Sequence, residues 1–248
     1  MKRLLLTLAL VFAVVSTSLV TSLTARTNSR LAIENPLQTT PRKATVEITV
    51  PMSVDVDGAP KSYGPNDKEA LDFELNAHVK AKKSGRIVGY LLDSHGKPVI
   101  QGPNDPAPGF FVSKTRFSDK DNHRETDPRR YLDATEINYT VLASKAAAKN
   151  VVPGDFCVVH AITKNKTVFA IVGDTGHSSG AEGSLALLQR LGFRVKNGKS
   201  TPEKIEKIVV RYFKNTNPTA QFFFKQSDLD AVAEQLGLDT DFSQFHRP

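Results

Sequence analysis

Two carboxylates, Asp174 and Glu182, stand in the glycine-rich run Gly173-Asp174-Thr175-Gly176-His177-Ser178-Ser179-Gly180-Ala181-Glu182-Gly183-Ser184. Paired carboxyl groups can act as general acid and general base when the bend that carries them is held at both ends. Here an apolar β-branched run, Val168 to Val172, leads into the bend, and a helical apolar pattern, Leu185 to Leu191, leads out. Glycine supplies the backbone angles and close approaches such a bend needs. The same acids also suit a plainer role as turn formers or helix caps. Glu182 lies where the helix pattern begins, and the helix dipole favours its ionised form by roughly 0.3–1 kcal/mol, under one pKa unit. Burial can move a carboxyl by up to about 3–5 units in the other direction. The dipole therefore does not bar Glu182 from serving as the acid.

Other residues compete for a chemical role. Gly176-His177-Ser178-Ser179-Gly180 has the G-x-S-x-G form of a hydrolase nucleophile elbow, which needs a strand running straight into the first glycine and a helix just after the serine. The strand pattern stops at Val172 and the helix pattern waits until about Glu182. The later partners would have to be Asp228, Asp230 or Asp241 with His246. In Ser53-Val54-Asp55-Val56-Asp57-Gly58, strand alternation places Asp55 and Asp57 on one face, suited to a cation, to sugar hydroxyls, or simply to the polar end of a strand. Lys114 lies between Ser113 and Thr115 on a strand pattern and faces either a cleft or solvent. Asp133, in Tyr131-Leu132-Asp133-Ala134-Thr135, is a turn or a site residue, and His177 is the one histidine within the candidate loop. Asp119-Lys120-Asp121-Asn122-His123-Arg124-Glu125 is a poor calcium loop, with Arg124 at the glycine position and Arg130 at the last ligand position. No histidine pair has metal-ligand spacing, and no metal or cofactor is expected.

The elements that must position these residues are mostly strands. Thr45–Val50, Ile87–Leu92, Phe110–Thr115, Tyr139–Ala143, Phe156–Ile162, Val168–Val172 and Gln221–Phe224 carry the pattern, separated by Gly, Pro, Asn and Asp. Phe156–Ile162 and Val168–Val172 read as a hairpin. Three helices are predicted: one capped by Thr201 with Pro202 first, running through Ile205, Ile208, Val209 and Tyr212; one capped by Ser227 and ended by Gly237; and the one after Gly183. Strands and helices do not alternate as a doubly wound sheet requires. A mainly β single domain over residues 45–237, a closed or nearly closed barrel with peripheral α-helices, fits best.

Lys2 and Arg3 precede the apolar run Leu4–Val15 and a Ser/Thr-rich flank, the layout of a secretory signal peptide over residues 1–25. Cleavage after Ser18, Ser22 or Ala25 and an uncleaved anchor are both open. Residues 26–44 read as a linker and 238–248 as a C-terminal tail. The expected product is a secreted monomer. Cys157 is the only cysteine, in an apolar strand pattern, so no intrachain disulfide forms and stability must come from a core. Of 33 basic and 26 acidic residues, six basic and one acidic lie in residues 1–44, leaving 27 against 25 in the rest. With no tryptophan and no basic cluster interleaved with aromatics, composition offers no nucleic-acid surface.

Several segments together resemble the chitosanases of glycoside hydrolase family 75. They are Asp55-Val56-Asp57-Gly58-Ala59-Pro60, Lys97-Pro98-Val99-Ile100-Gln101, Asp105 through Thr115, Tyr131-Leu132-Asp133-Ala134, Asn138-Tyr139-Thr140-Val141-Leu142 and the Gly173–Ser184 loop. The resemblance covers about residues 45 to 195. It implies a double-psi β-barrel and cofactor-free endo-hydrolysis of β-1,4-linked glucosamine polymer with inversion. Asp174 would be the base that activates water and Glu182 the acid, with Asp55, Asp57, Lys114, Asp133 and His177 as candidate substrate contacts. Chitosan is a polycation, which calls for an acidic cleft. A slightly basic domain does not provide one, although Asp55, Asp57, Asp105 and Asp133 can supply it locally.

Overall fold

Runs of β-branched and aromatic residues become strands where both of their faces can be covered. The computed structural model describes residues 41–245 and contains seven such strands. They are β1 (Val46–Val50), β2 (Ser53–Asp55), β3 (Tyr139–Val141), β4 (Phe156–Ala161), β5 (Lys166–Asp174), β6 (Glu182–Ser184) and β7 (Ile208–Tyr212). Three helices accompany them: α1 (Ser144–Ala147), α2 (Leu185–Arg190) and α3 (Gln226–Gln235). The expected signal peptide and residues 26–40 of the linker lie outside the described residues, as does His246. Among the described residues no helix is long and apolar enough to cross a membrane.

The strands form one mixed sheet in the order β1-β7-β4-β5-β3-β6-β2. Its middle is antiparallel, and its site end contains the parallel pairs β3–β5 and β2–β6. The two edge strands, β1 and β2, are neighbours in sequence, joined only by Pro51 and Met52. Three peptide steps reach at most about 11 Å, whereas six inter-strand steps across a flat sheet span roughly 29 Å. The sheet must therefore curl, and it forms a half-barrel.

Alternation along the central strands separates two cores. Cys157, Val159 and Ala161 of β4, Ala170 and Val172 of β5, and Ile208, Val210 and Tyr212 of β7 fill one, with α2. Phe156, Val158, Ile171 and Val209 fill the other, with Leu229 and Ala233 of α3. Cys157 is fully buried beside Thr140, and burial pushes its thiol up to about 12.

The hairpin is present, with Phe156 opposite Ile171 and Ala161 opposite Lys166. The helix expected from Thr201 is not: Ile208–Tyr212 is a strand between β1 and β4, buried throughout. Segments 87–92 and 110–115 make only isolated bridges, through Ile87, Tyr90, Leu92, Phe111 and Ser113. Residues 221–224 join no strand; Phe222 instead stacks on Phe117 and Phe223 meets Phe156 edge-on. The C-terminal stretch is no loose tail as far as Phe245. Leu238 and Phe242 are core residues, and Asp239 joins Glu47 around buried Arg211. Arg42, at the end of the expected linker, bridges to Leu238.

Candidate active site

Asp174 and Glu182 end and begin neighbouring pieces of this sheet: Asp174 closes β5 and Glu182 opens β6, with β3 between them. Glu182 is thus a strand residue, and Ser184, not Glu182, caps α2 by accepting from the Leu187 N–H. The parallel register sets Ser53 beside Glu182 and Asp55 beside Ser184. Asp55 and Glu182 therefore project from the same face, one pleat apart. Asp174 comes to this region because β5 slips by one residue against β3 between Thr140 and Val141. Gly173 permits that slip: a Cβ there would lie 2.6 Å from the Tyr139 side chain.

Asp57 follows β2 in the turn Val56–Ala59, where Gly58 holds φ +80° and the Ala59 N–H donates to the Val56 carbonyl. A side chain on Gly58 would meet the Leu132 carbonyl at 2.1 Å, so the turn is pressed against the chain preceding β3. The Asp57 N–H donates to Asp55 Oδ1 at 2.8 Å, the Tyr139 hydroxyl to the Asp57 carbonyl at 2.9 Å, and the Tyr63 hydroxyl to Asp57 Oδ1 at 2.7 Å. Both tyrosines are buried. Burial and the adjacent carboxylates push their hydroxyls upward, so they remain donors.

Asp174 is buried, and its Oδ1 accepts the backbone N–H groups of Thr175 at 2.6 Å and Arg116 at 3.1 Å. Among the described residues no buried side-chain oxygen lacks a partner. Among the described residues the second oxygens of Asp57 and Asp174, and both of Glu182, have no protein donor, and none of them is fully enclosed. Each of the two aspartates is tethered by one oxygen and presents the other.

Among the described residues none of these four acids forms an ion pair with Lys, Arg or His. Their pKa values rise accordingly. Burial, then the charge of Glu182, raises Asp55 to about 7. Burial, then Asp55 and Asp174, pushes Asp57 well up. Burial, then Asp55, does the same to Asp174, against the pull of its two backbone donors. Glu182 is raised by burial. Four acids that resist ionising, three of them with an oxygen that has no protein donor, and none with a cation, can exchange protons with a bound molecule or hold a positively charged one.

Among the described residues none of the remaining candidates forms a side-chain hydrogen bond or ion pair with these four acids. Asp133 Oδ1 accepts from the Thr135 N–H and hydroxyl at 2.8 and 2.6 Å, which makes it a turn former. Ser113 and Thr115 accept the Gly58 N–H and the Leu132 N–H, and Lys114 between them is half-buried. His177 pairs through Nδ1 with Ser179 Oγ at 2.9 Å, while exposed Ser178 has no base within hydrogen-bond reach and is followed by a strand. The nucleophile elbow is therefore not built. Asp230 is engaged by Gln226 and Asp241 by the Ser243 N–H. In the 119–125 loop, Arg130 bonds the Asp119 and Asn122 carbonyls and so occupies the space a cation would need. Among the described residues no group of three His, Cys, Asp or Glu side chains is arranged to hold a metal.

Tyr63 and Tyr139 are site residues that sequence reasoning did not assign. Tyr139 lies in a strand pattern beside the resemblance segments, but nothing in the sequence links Tyr63 to Asp57. No family model and no curated protein matches the chain.

Proposed function

We propose that this protein is a glycoside hydrolase that cleaves β-1,4 linkages in a glucosamine-containing polysaccharide, with inversion at the anomeric carbon. The carrying observation is the pair Asp174 and Glu182, on the two strands that flank β3, among four raised carboxylates without a counter-ion. Asp174 can act as the base for water once a bound cation offsets the burial and the Asp55 charge that hold its proton: backbone N–H groups fix one oxygen and the other has no protein donor. Glu182 has those of the acid, because burial holds its proton and no donor stabilises its anion. In such a reaction the acid protonates the leaving oxygen while the base deprotonates a water on the opposite face of the sugar. A polymer of protonated amino sugars would bring the cations that these four acids lack. The tight β1–β2 connection and the parallel pairs β2–β6 and β3–β5 also support reading the curled sheet as a double-psi β-barrel. The N-terminal sequence supports export, and the reaction needs no cofactor.

The test is to incubate the protein with chitosans of defined acetylation and follow the products by NMR. New reducing ends should appear first as the α-anomer. Asp174→Asn and Glu182→Gln should each lower turnover by about 10²–10⁴-fold while the thermal transition persists. Full activity in both variants overturns the assignment. Polymer binding without any cleavage by the wild type would make the protein a non-catalytic binder.

A further inference from the structure

A cleft of about 470 Å³ lies between residues 99–105 and 124–129, and no step of the proposed reaction uses it. That volume is in the range that takes a small ligand. Arg124 and Arg129 line it, each held by carboxylates. Arg124 Nη2 donates to Asp127 Oδ2 at 2.7 Å, and Arg129 Nη1 to Asp105 Oδ1 at 3.2 Å and Asp127 Oδ1 at 3.3 Å. Asp105 Oδ2 accepts the Gly102 N–H at 2.8 Å, so every oxygen of both carboxylates has a donor. The two arginine side chains are 65% and 46% exposed, against 12% and 19% for Asp127 and Asp105. The cations meet solvent and their counter-charges lie inside. Among the described residues Arg124 has a partner for one of its five side-chain N–H donors. Ile100, 58% exposed, lines the same cleft with Val99 and Pro103, and Asn104 and Thr126 add polar groups. Both walls are fixed from behind. Gln101 Nε2 donates to the Pro60 carbonyl at 2.6 Å, and Arg130 holds the Asp119 and Asn122 carbonyls.

The geometry points to a second ligand site in this cleft, one that takes a sugar acid, with its carboxylate on the Arg124 guanidinium and a face of its ring on Ile100. It is independent of the reading of Asp174 and Glu182. A guanidinium fork matches a carboxylate through two parallel hydrogen bonds. The cleft's own carboxylates are fully engaged, so a protonated amine finds no open acceptor on them. Two arginines and two aspartates cancel in net charge, so directed hydrogen bonds rather than a long-range field must select the anion. An inorganic anion would leave Ile100 in water, whereas the C–H face of a ring covers it. Hydroxyl groups around that ring suit Asn104 and Thr126.

Amide NMR of the ¹⁵N-labelled full chain, titrated with D-glucuronate, glucose, glucosamine and inorganic phosphate, tests this without any catalysis. Glucuronate should shift the Gly102, Asn104 and Thr126 amides in a saturable way, while glucose and glucosamine leave them nearly in place. Arg124→Gln should raise the glucuronate dissociation constant by about 10–100-fold. Arg124→Lys should raise it less, because it keeps the charge and loses the fork. Ile100→Ser should raise it by about three- to tenfold. Asp174→Asn should leave it unchanged. Absence of a saturable glucuronate shift, equal shifts with glucose, or full binding by Arg124→Gln each overturns the inference. Phosphate binding as tight as glucuronate does so too, because the ring would then add nothing. Loss of the shifts in Asp174→Asn would put the ligand at the four acids instead and equally overturn it.

Discussion

Asp174 combines two backbone donors that favour its anion with two neighbouring acids, Asp55 and Glu182, that oppose it. Burial adds to the opposition, so in the free protein the proton stays on well above the usual carboxylate range. A bound ammonium group would reverse that balance. The acid limb of kcat/KM reports the free enzyme and that of kcat the complex. On a fully deacetylated polymer the kcat limb should therefore lie below the kcat/KM limb, by about one unit for a cation within a few ångströms. On a heavily acetylated polymer the two should nearly coincide. Rate profiles on both substrates check this, and coincident limbs on the deacetylated one would refute a cationic partner for these acids. Asp133 gives the contrast: Asp133→Ala should cost about 1–2 kcal/mol of stability through its Thr135 bonds and leave the pH profile in place.

At the level of elements, Ser184 joins three pieces at once. Its hydroxyl donates to the Ile137 carbonyl and accepts from the Tyr139 and Leu187 N–H groups, all in the interior. Ser184→Ala should cost about 2–3 kcal/mol and reduce turnover as well, because Tyr139 and Glu182 lose their shared anchor. Calorimetry together with the chitosan assay measures both effects. What could be read from sequence also divides by element. The β4–β5 hairpin was legible because its two β-branched runs flank a short polar turn. Helix α3 was legible from its spaced apolar residues and Gly237, although its expected Ser227 cap makes no capping bond. Strand β7 was misread because Ile205, Ile208, Val209 and Tyr212 fit a helical repeat after Thr201-Pro202. A strand covered on both faces shows no alternation to argue against it. Asp174 and Glu182 could be singled out because one glycine-rich loop holds both. Tyr63 could not, because its link to Asp57 depends on how the Gly58 turn packs, not on any local pattern.

For the whole molecule, the raised acids make stability depend on pH with a definite sign. Asp55 has its folded value near 7, above the ordinary 3.8. Between those values the native state binds more protons than the unfolded chain, so stability is full below about pH 4 and is lost as pH rises through about 7. Asp57 and Asp174 act in the same direction. Asp127 and Glu74 act in the opposite direction, with values held below the ordinary range by their hydrogen bonds. Their contribution appears as pH rises through the lower part of the acid range. The melting temperature should therefore fall between about pH 5 and pH 8. Asp55→Asn should flatten that slope and raise the melting point at pH 8 by several degrees, about 2–4 °C per kcal/mol at this size. A scan series across that range measures it, and a melting temperature that climbs toward pH 8 would contradict the buried-acid account.

The seating of β1 and β2 at opposite edges of one sheet also has a consequence for biosynthesis. Both strands leave the ribosome before their partners do: Val46 waits for Tyr212 and Ser53 for Glu182 before either has a neighbour. Pairings so distant along the chain close slowly, so a nascent molecule keeps β1 and β2 unpaired until β7 and β6 have been made.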